Sequence, residues 1–263
     1  NAGLVGSEMC IRDRYNVIVV VSAMAGETNR LIKLVESLTN DYRTSEYDTV
    51  ISSGEQVTSG LLAIALNELG IKSKSYQGWQ IPFETDNNFS KANIKEIKKD
   101  KILFDLNDGY VIVVPGFQGV HKNRLTTLGR GGSDTSAVAL AAVFGAERCD
   151  IYTDVDGVYT ADPRIVANAL KLETITFEEM LELASQGAKV LQTRSVALAM
   201  NHNVKLQVLS SFENKTGTFI INERQKSMEE TIISGITYTS NEAKITLFNV
   251  IDKPGQAAMI FGA

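Results

Sequence analysis

The strongest constraint on the fold is an alternation of short apolar runs with longer segments of helical pattern. Residues 15–21 and 109–114 are strand-sized and almost entirely apolar, which is typical of strands buried on both faces. Shorter strands are predicted at residues 150–154 and 205–210, and helices at residues 52–69, 133–144 and 177–185. Strands separated by helices in this way predict an α/β fold with a mainly parallel sheet covered on both faces.

Composition agrees with an ordinary globular protein and excludes several function classes. A chain of 263 residues, 44% hydrophobic and 22% charged, can bury a core without disulfides or metals. Its two cysteines, Cys10 and Cys149, cannot form a disulfide framework, so we expect a reducing, cytoplasmic location. No apolar run approaches the ~18 residues of a membrane span, and a net charge of −5 gives no support to a nucleic-acid partner. With only two histidines, His121 and His202, we assign no metal ligands.

Two segments give specific structural expectations. A helix after the loop at residues 22–26 should carry four apolar side chains on one buried face: Leu31, Leu34, Val35 and Leu38. Residues 87–101 contain five lysines and few apolar residues, and we interpret them as a solvated helix face rather than a nucleic-acid site.

The ends of the chain depart from the alternating pattern. Residues 1–14 lack both secondary-structure periodicity and the apolar core of a signal peptide, and we interpret them as foreign sequence. Residues 15–221 form the predicted main domain, and the polar residues 222–230 a linker. Residues 231–263 begin a second domain that is cut at Ala263, so both ends are interpreted as truncated.

The segment TTLGRGGSDTS at residues 126–136 carries the clearest chemical signal. Its three glycines precede a predicted helix, so backbone N–H groups can approach an anion without obstruction by Cβ atoms. Arg130 adds a planar fork that matches a carboxylate or a phosphate. The structural alternative is a tight turn with Ser133 or Asp134 as the N-cap. Because such a turn does not need an arginine between glycines, we favour anion binding.

Two further segments contain candidate ligand groups. Residues 153–164, TDVDGVYTADPR, follow a predicted strand and so lie at the carboxyl end of the sheet, where open α/β folds bind ligands. The alternative is a solvated acidic loop with Asx turns. Within GAKV at residues 187–190, Lys189 stands between small and apolar neighbours and could hold a phosphate, unless its side chain simply extends to water.

Two pairs of residues fit a helix capping box. Ser52 and Glu55 have the required spacing, and on the pattern alone capping fits Glu55 at least as well as ligand binding does. Thr176 and Glu179 have the same spacing, and there we accept the structural interpretation.

Five motifs together resemble those of aspartate kinases and occur in that family's order within residues 17–211. They are VVSAMAGETN (20–29), SSGEQ (52–56), the Arg130 glycine loop, TDVDGVYTADPR (153–164) and GAKVL (187–191). The sequence from residue 245 is similar to the start of the ACT-type regulatory region that follows this catalytic domain. The resemblance implies the three-layer α/β/α sandwich of amino-acid kinases with a mainly parallel sheet, followed by the start of an ACT-like α+β domain.

The resemblance also implies an activity: transfer of the γ-phosphoryl group of MgATP to the β-carboxylate of L-aspartate, the first step toward lysine, threonine and methionine. The product would be 4-phospho-L-aspartate. ATP and Mg²⁺ are therefore the expected cofactors, with Mg²⁺ held mainly by phosphates and water. The full-length protein is expected to form a homo-oligomer through its ACT region, with no nucleic-acid or membrane partner.

Site residues carry over motif by motif. Asp134, at the centre of the site, and Lys189 would be catalytic. The substrate-binding residues would be Thr28, Glu55, Arg130, Gly131, Gly132 and Ser133. The ATP-binding residues would be Ser22, Thr153, Asp154, Tyr159, Arg164, Lys189 and Val190. Arg130 would clamp a substrate carboxylate and Glu55 would accept the substrate ammonium, which overrides the capping box.

One departure from the family concerns its first strand, which carries Lys-Phe-Gly-Gly-Thr-Ser and cradles the phosphates. That motif is missing here and residues 1–14 stand in its place, so we expect the chain as written to be poorly active. Two alternatives remain open. One is an amino-acid kinase of the glutamate 5-kinase or acetylglutamate kinase type; the other is a catalytically impaired sensor that binds an amino acid without turnover.

Overall fold

Strands and helices alternate along the chain, as the apolar pattern predicts. The computed structural model describes residues 15–39, 41–81, 83–188, 190–222, 235–237 and 253–255. The strands are β1 (Ile18–Val21), β2 (Ser73–Ser75), β3 (Phe83–Thr85), β4 (Ile94–Ile97), β5 (Val111–Pro115), β6 (Gln118–His121), β7 (Arg124–Thr127), β8 (Cys149–Thr153), β9 (Thr174–Thr176), β10 (Leu206–Ser210) and β11 (Thr218–Ile221). The helices are α1 (Glu27–Glu36), α2 (Ser45–Ile51), α3 (Ser53–Glu68), α4 (Asp100–Asn107), α5 (Gly132–Phe144), α6 (Phe177–Ser185) and α7 (Thr193–Asn201).

The first sheet is entirely parallel, in the order β1-β5-β2. Its central strand, β5, is buried along its whole length, which explains the apolar run in the sequence. β1 lies at the edge, with Val19 opposite Val113, and is only partly buried.

The second and third sheets mix the two strand directions. In the order β8-β10-β11-β9, the outer pairs are parallel and the central pair is antiparallel. In the order β4-β3-β6-β7, only β3 and β6 are parallel. Most strand pairs among the described residues are therefore parallel, and the predicted α/β class with mainly parallel sheets is confirmed.

The hairpin of β6 and β7 was not predicted from the sequence, although it leads into the glycine loop. It turns at Lys122 and Asn123, which both have positive φ (45° and 64°). This is the backbone of a two-residue hairpin turn whose twist matches that of the strands. The hairpin brings Thr127 to the start of the glycine loop.

Helix α5 packs against β1 of the first sheet and β8 of the second. Its small apolar residues allow this close packing, and Val138 and Leu140 are buried in two different core clusters. The helix ends at Gly145, which has the positive φ typical of a glycine that follows a helix. α5 thus fixes its own N-terminus, and the glycine loop before it, against both sheets.

Two local expectations are corrected. Leu31 and Val35 of α1 are buried, but Leu34 is 52% and Leu38 86% exposed. Leu38 lies beyond the last residue of the helix, and Leu34 is turned about 100° away from Val35. Residues 87–101 do not form one helix face, because they contain strand β4 and only the first two residues of α4.

The capping box of Thr176 and Glu179 is confirmed. The Thr176 side chain accepts from the Glu179 N–H at 3.2 Å, and the Glu179 carboxylate accepts from the Thr176 N–H at 2.9 Å. In the part of the chain that is described, no helix is both long and apolar enough to cross a membrane.

The predictions for the ends of the chain mostly concern residues outside the described ranges. These are the foreign segment 1–14, the linker from residue 223, and the ACT-like segment 231–263 except for residues 235–237 and 253–255. In the first of these short stretches the Ile236 N–H donates to the Thr160 carbonyl at 2.7 Å. The domain boundaries therefore stay predictions.

Candidate functional site

A cavity of about 260 Å³ lies where three segments meet: the loop after β1, the first turn of α3, and the glycine loop between β7 and α5. Eight of the residues predicted from the sequence line it, from both the substrate-binding and the catalytic sets and one from the ATP-binding set. They are Ser22, Thr28, Glu55, Arg130, Gly131, Gly132, Ser133 and Asp134. Ala23, Phe117 and Gly129 complete the lining and were not among the predicted site residues.

Glu55 is only 3% exposed, yet half of its carboxylate lacks a partner. Oε1 accepts from the Ala23 N–H at 3.2 Å, whereas Oε2 is buried with no hydrogen bond. Burial raises the pKa of Glu55 to about 7, against the opposing effect of hydrogen bonds from its own N–H and that of Ala23. Glu55 lines the cavity, and a buried carboxylate oxygen without a donor is suited to a cationic ligand group.

The capping interpretation of Ser52 and Glu55 is wrong. Ser52 has helical backbone angles, its side chain makes no capping hydrogen bond, and its hydroxyl donates to the Thr49 carbonyl at 3.3 Å. The reason is that α2 runs almost directly into α3, so the chain at Ser52 is already helical and needs no side-chain cap. This leaves Glu55 free for the cavity.

The glycine loop uses its glycines for close approach as well as for backbone angles. Gly129 and Gly131 have φ of 78° and 71°. A Cβ on Gly131 would lie 2.0 Å from the Gln192 side chain, so a larger residue there would have to displace Gln192 and adopt a strained backbone. Gly131 takes the position before the first helical residue, so neither Ser133 nor Asp134 is the N-cap. The loop does contain a tight turn, and anion binding by it stays a prediction.

Arg130 is exposed at the mouth of the cavity, and the structure gives its guanidinium no ion pair with any described residue. Asp134 lies in the first turn of α5, and burial raises its pKa to about 6. The Gly132 N–H donates to the Gly129 carbonyl at 3.0 Å, and the next two N–H groups of the helix, those of Ser133 and Asp134, have no acceptor among the described residues. The cavity therefore combines an available cation, two helix N–H groups without an acceptor and two carboxyl groups whose ionisation is suppressed by burial.

Gly116 was not singled out in the sequence, but it shapes this wall of the site. A Cβ at Gly116 would lie 2.8 Å from the Cα of Ser133. The adjacent Phe117 has a positive φ of 70°, and its N–H donates to the Ser136 hydroxyl at 3.2 Å. This strained turn after β5 brings Phe117 into the cavity. In the sequence, only the Pro-Gly dipeptide at residues 115–116 indicates a turn at this position.

A second, larger cavity of about 890 Å³ opens beside the first one and shares Thr28, Phe117, Gly129 and Arg130 with it. Two more cationic side chains, Arg43 and Lys91, line it. Arg130 thus stands between the two cavities.

The predicted ATP-binding residues after β8 line neither cavity. Thr153 ends β8 and its hydroxyl donates to Asp154 at 3.1 Å, while the Tyr159 hydroxyl donates to Asp156 at 2.8 Å. The Arg164 side chain pairs with Asp162 at 2.7 Å. Hydrogen bonds from Arg164 lower the pKa of Asp162 to about 2.

Val190 packs against the core of the second sheet rather than into a cavity. Lys189 lies outside the described residues. The structure therefore gathers the substrate-binding set, Ser22 and Asp134, but leaves the other ATP-binding candidates apart from them. Among the described residues no group of three or more His, Cys, Asp or Glu side chains is arranged to hold a metal ion.

Comparison with known proteins gives consistent matches. The profile described as "Amino acid kinase family" matches residues 8–210. An aspartate kinase of Pseudomonas putida is 53% identical over 248 residues, which are 94% of this chain and 60% of that protein. An aspartokinase of Pseudomonas aeruginosa is 53% identical over 249 residues, with the same coverage. The chain thus spans about 60% of the length of these curated relatives.

Solved structures of aspartate kinases also superpose on this chain. The aspartate kinase from Synechocystis superposes with a TM-score of 0.74 at 41% identity, over 86% of this chain and 38% of that one. Aspartokinase III of E. coli in complex with aspartate and ADP gives a TM-score of 0.74 at 28% identity, over 83% of this chain and 61% of that one. Since the family profile also matches well over half of the sequence, the chain belongs to the amino acid kinase family.

Proposed function

We propose that the chain is the catalytic part of an aspartate kinase, which transfers the γ-phosphoryl group of MgATP to the β-carboxylate of L-aspartate. The observation that carries the proposal is that an unpaired carboxylate oxygen and an unpaired guanidinium belong to the same cavity. Glu55 has a buried oxygen without a donor, and Arg130 has a guanidinium without an anion among the described residues. A free amino acid supplies an ammonium to the first and a carboxylate to the second.

The size of the cavity supports a small acceptor. Its volume of about 260 Å³ lies below the roughly 300–1,000 Å³ of pockets for drug-sized ligands. The names of the relatives point to the same substrate, and one solved relative contains aspartate and ADP.

In phosphoryl transfer to a carboxylate, the main task of the protein is to position the two substrates. At neutral pH the acceptor carboxylate is already ionised, so its oxygen attacks the γ-phosphorus without a general base. The new O–P bond forms as the bond to the β–γ bridging oxygen breaks, and ADP leaves with that electron pair. The work of the chain is to hold two anions in line and to offset their charge.

The residues divide this work. Arg130 and the first N–H groups of α5 would hold anionic groups, Ser133 and Thr28 would hydrogen-bond the substrate, and Asp134 would organise the centre of the site. In the nucleotide half we propose a set that follows β8, at the carboxyl end of a parallel strand, together with Ser22 and the segment at residues 189–190. The set is Thr153, Asp154, Tyr159 and Arg164. MgATP enters as the co-substrate, with its metal held mainly by phosphates and water.

The full-length protein would act in the cytoplasm, in the synthesis of lysine, threonine and methionine, as a homo-oligomer joined through an ACT-like region.

The acceptor is tested by ADP release coupled to a spectroscopic signal, with aspartate, glutamate and N-acetylglutamate offered separately to the full-length protein. We expect aspartate to be preferred. N-acetylglutamate has no ammonium to meet the free oxygen of Glu55, so a preference for it would overturn the proposal. Calorimetric binding of aspartate without ADP release would favour the alternative of an amino-acid sensor.

A further inference from the structure

Asp48 is a charged side chain that is completely buried away from the cavity. It lies on α2, and every hydrogen bond to its carboxylate comes from two distant segments. The Ser90 N–H donates to both oxygens, at 3.1 and 3.0 Å. Thr127 donates twice, from its N–H to Oδ2 at 2.8 Å and from its hydroxyl to Oδ1 at 2.7 Å.

Arg194, on α7, also donates hydrogen bonds to this region. Its Nη1 donates to the Leu128 carbonyl at 2.8 Å. Its Nη2 donates to the Ala92 carbonyl at 2.9 Å and to the Asn93 side chain at 3.3 Å. The guanidinium is partly desolvated, which lowers its pKa.

The two side chains therefore hold two consecutive residues, Thr127 and Leu128, directly before Gly129 and Arg130. They also hold the same neighbouring segment, residues 90–93, which is tied to the hairpin by the hydrogen bond from the Ala92 N–H to the Thr127 carbonyl at 2.9 Å. Asp48 and Arg194 thus bind the backbone at the end of β7 from two different helices.

Such an arrangement has a cost that burial of apolar side chains would avoid. A buried charge is tolerated only when all its hydrogen bonds are made, and apolar replacements are often as stable. What the charges supply is a fixed backbone just before a loop with two glycines at positive φ, which has little stiffness of its own. Misplacement of a ligand-binding group by 1 Å can cost ~100-fold in rate.

We infer that Asp48 and Arg194 are positioning residues that hold the base of the glycine loop so that Arg130 faces the cavity. The kinetic consequence rests on the proposed aspartate kinase function, whereas the effect on the loop does not. Both side chains act through the backbone of Thr127 and Leu128 and need not touch the substrate.

Asp105 is a matched control, because it is equally buried but remote from the loop. It is 3% exposed, and its carboxylate accepts from the Lys74 ammonium at 2.7 Å and from the Tyr76 hydroxyl. These bonds join α4 to residues in and next to β2. Asp105→Asn should therefore lower stability as Asp48→Asn does, without affecting the glycine loop.

The first experiment measures hydrogen exchange of the amides at residues 129–135 in the full-length protein without substrate. We expect exchange at least tenfold faster in Asp48→Asn and Arg194→Met than in the wild type, and unchanged in Asp105→Asn. Thr127→Val removes only one hydroxyl donor to Asp48. If Asp48→Asn does not fold, this milder variant replaces it, and its exchange at residues 129–135 should also be faster than in the wild type. Equal exchange in the loop variants and in Asp105→Asn would overturn the inference.

The second experiment separates positioning from general stability by kinetics. Asp48→Asn and Arg194→Lys should raise the KM for aspartate at least tenfold while the KM for ATP changes less than twofold, and Asp105→Asn should change neither. A parallel rise of both KM values would assign the two residues a merely structural role. If the wild type shows no aspartate-dependent turnover, the proposed function fails, and the exchange experiment still decides the inference.

Discussion

Replacement of Glu55 by glutamine should weaken substrate binding and at the same time stabilise the free protein. Both effects follow from the buried, half-satisfied carboxylate. The pKa of Glu55 rises from 4.5 to about 7 because burial disfavours its charge. Since a tenfold change in proton affinity is worth about 1.4 kcal/mol, this rise corresponds to a cost of about 3 kcal/mol for keeping Glu55 ionised in the folded state.

Because the pKa of Glu55 is raised in the folded state, the free energy of unfolding depends on pH with a definite sign. Between pH 4.5 and about 7 the folded protein keeps a proton on Glu55 that the unfolded chain has released, so stability falls as the pH rises. Above about pH 7 the whole cost is present. Glutamine has the same shape and no charge, so the variant does not lose this stability.

Urea unfolding at pH 5 and pH 8 measures this difference. At pH 8 we expect Glu55→Gln to exceed the wild type by ~2–3 kcal/mol in the free energy of unfolding, and at pH 5 the two should agree within ~1 kcal/mol. Glu68→Gln, on the exposed end of the same helix, is the control and should change neither value.

The same substitution should weaken aspartate binding although it stabilises the free protein. Truncating one partner of a buried charge pair costs ~2–5 kcal/mol, so the KM for aspartate should rise at least ~30-fold in Glu55→Gln. A variant that is less stable than the wild type at pH 8 and keeps its aspartate KM would refute the assignment of Glu55 to the ligand, and would return it to a structural role.

Three further predictions concern the anion-binding side. Arg130→Ala should lose ~2–5 kcal/mol of aspartate binding or transition-state stabilisation in steady-state kinetics, and Arg130→Lys should recover only part of it, because a point charge cannot make two parallel hydrogen bonds; unchanged aspartate kinetics would contradict the clamp. Gly131→Ala should lower the melting temperature in calorimetry, because its Cβ would meet Gln192 at 2.0 Å, and Gln192→Ala should restore part of the loss; no change in melting temperature would show that the loop relaxes freely. Replacing residues 1–14 with a strand that bears Lys-Phe-Gly-Gly-Thr-Ser and its following helix should raise aspartate-dependent ADP release by at least ~10³, the scale of a single charge that stabilises phosphoryl transfer; equal activity of the two versions would show that the phosphate site does not need this motif.

Local patterns predicted the fold class and the helix that begins at the end of the glycine loop. The buried run of β5 and the helix that follows the glycines at 131 and 132 each depend on a few neighbouring residues, which the sequence displays directly. The capping box of Glu55 failed for the opposite reason. Whether Ser52 starts a helix depends on α2 before it, a short helix that the apolar pattern does not reveal.

The residues that support the site could not be found in this way. Asp48 and Thr127 are 79 positions apart, and Arg194 and Leu128 are 66 apart. In the sequence, an aspartate or an arginine within a short helix is typical of a solvated face. Only the tertiary arrangement shows that Asp48 is fully buried, that Arg194 is partly buried, and that both side chains are directed at one backbone segment.

The two halves of the proposed site follow β1 and β8, which are edge strands of different sheets. Among the described residues, neither strand has a neighbour on its outer side, yet both are packed against α5. An unpaired edge leaves backbone donors and acceptors available for a further strand. The resemblance to aspartate kinases predicts such a strand, with a lysine and two glycines that cradle phosphates. If it paired in parallel beside β1, its phosphate-binding end would lie next to Ser22, which lines the substrate cavity.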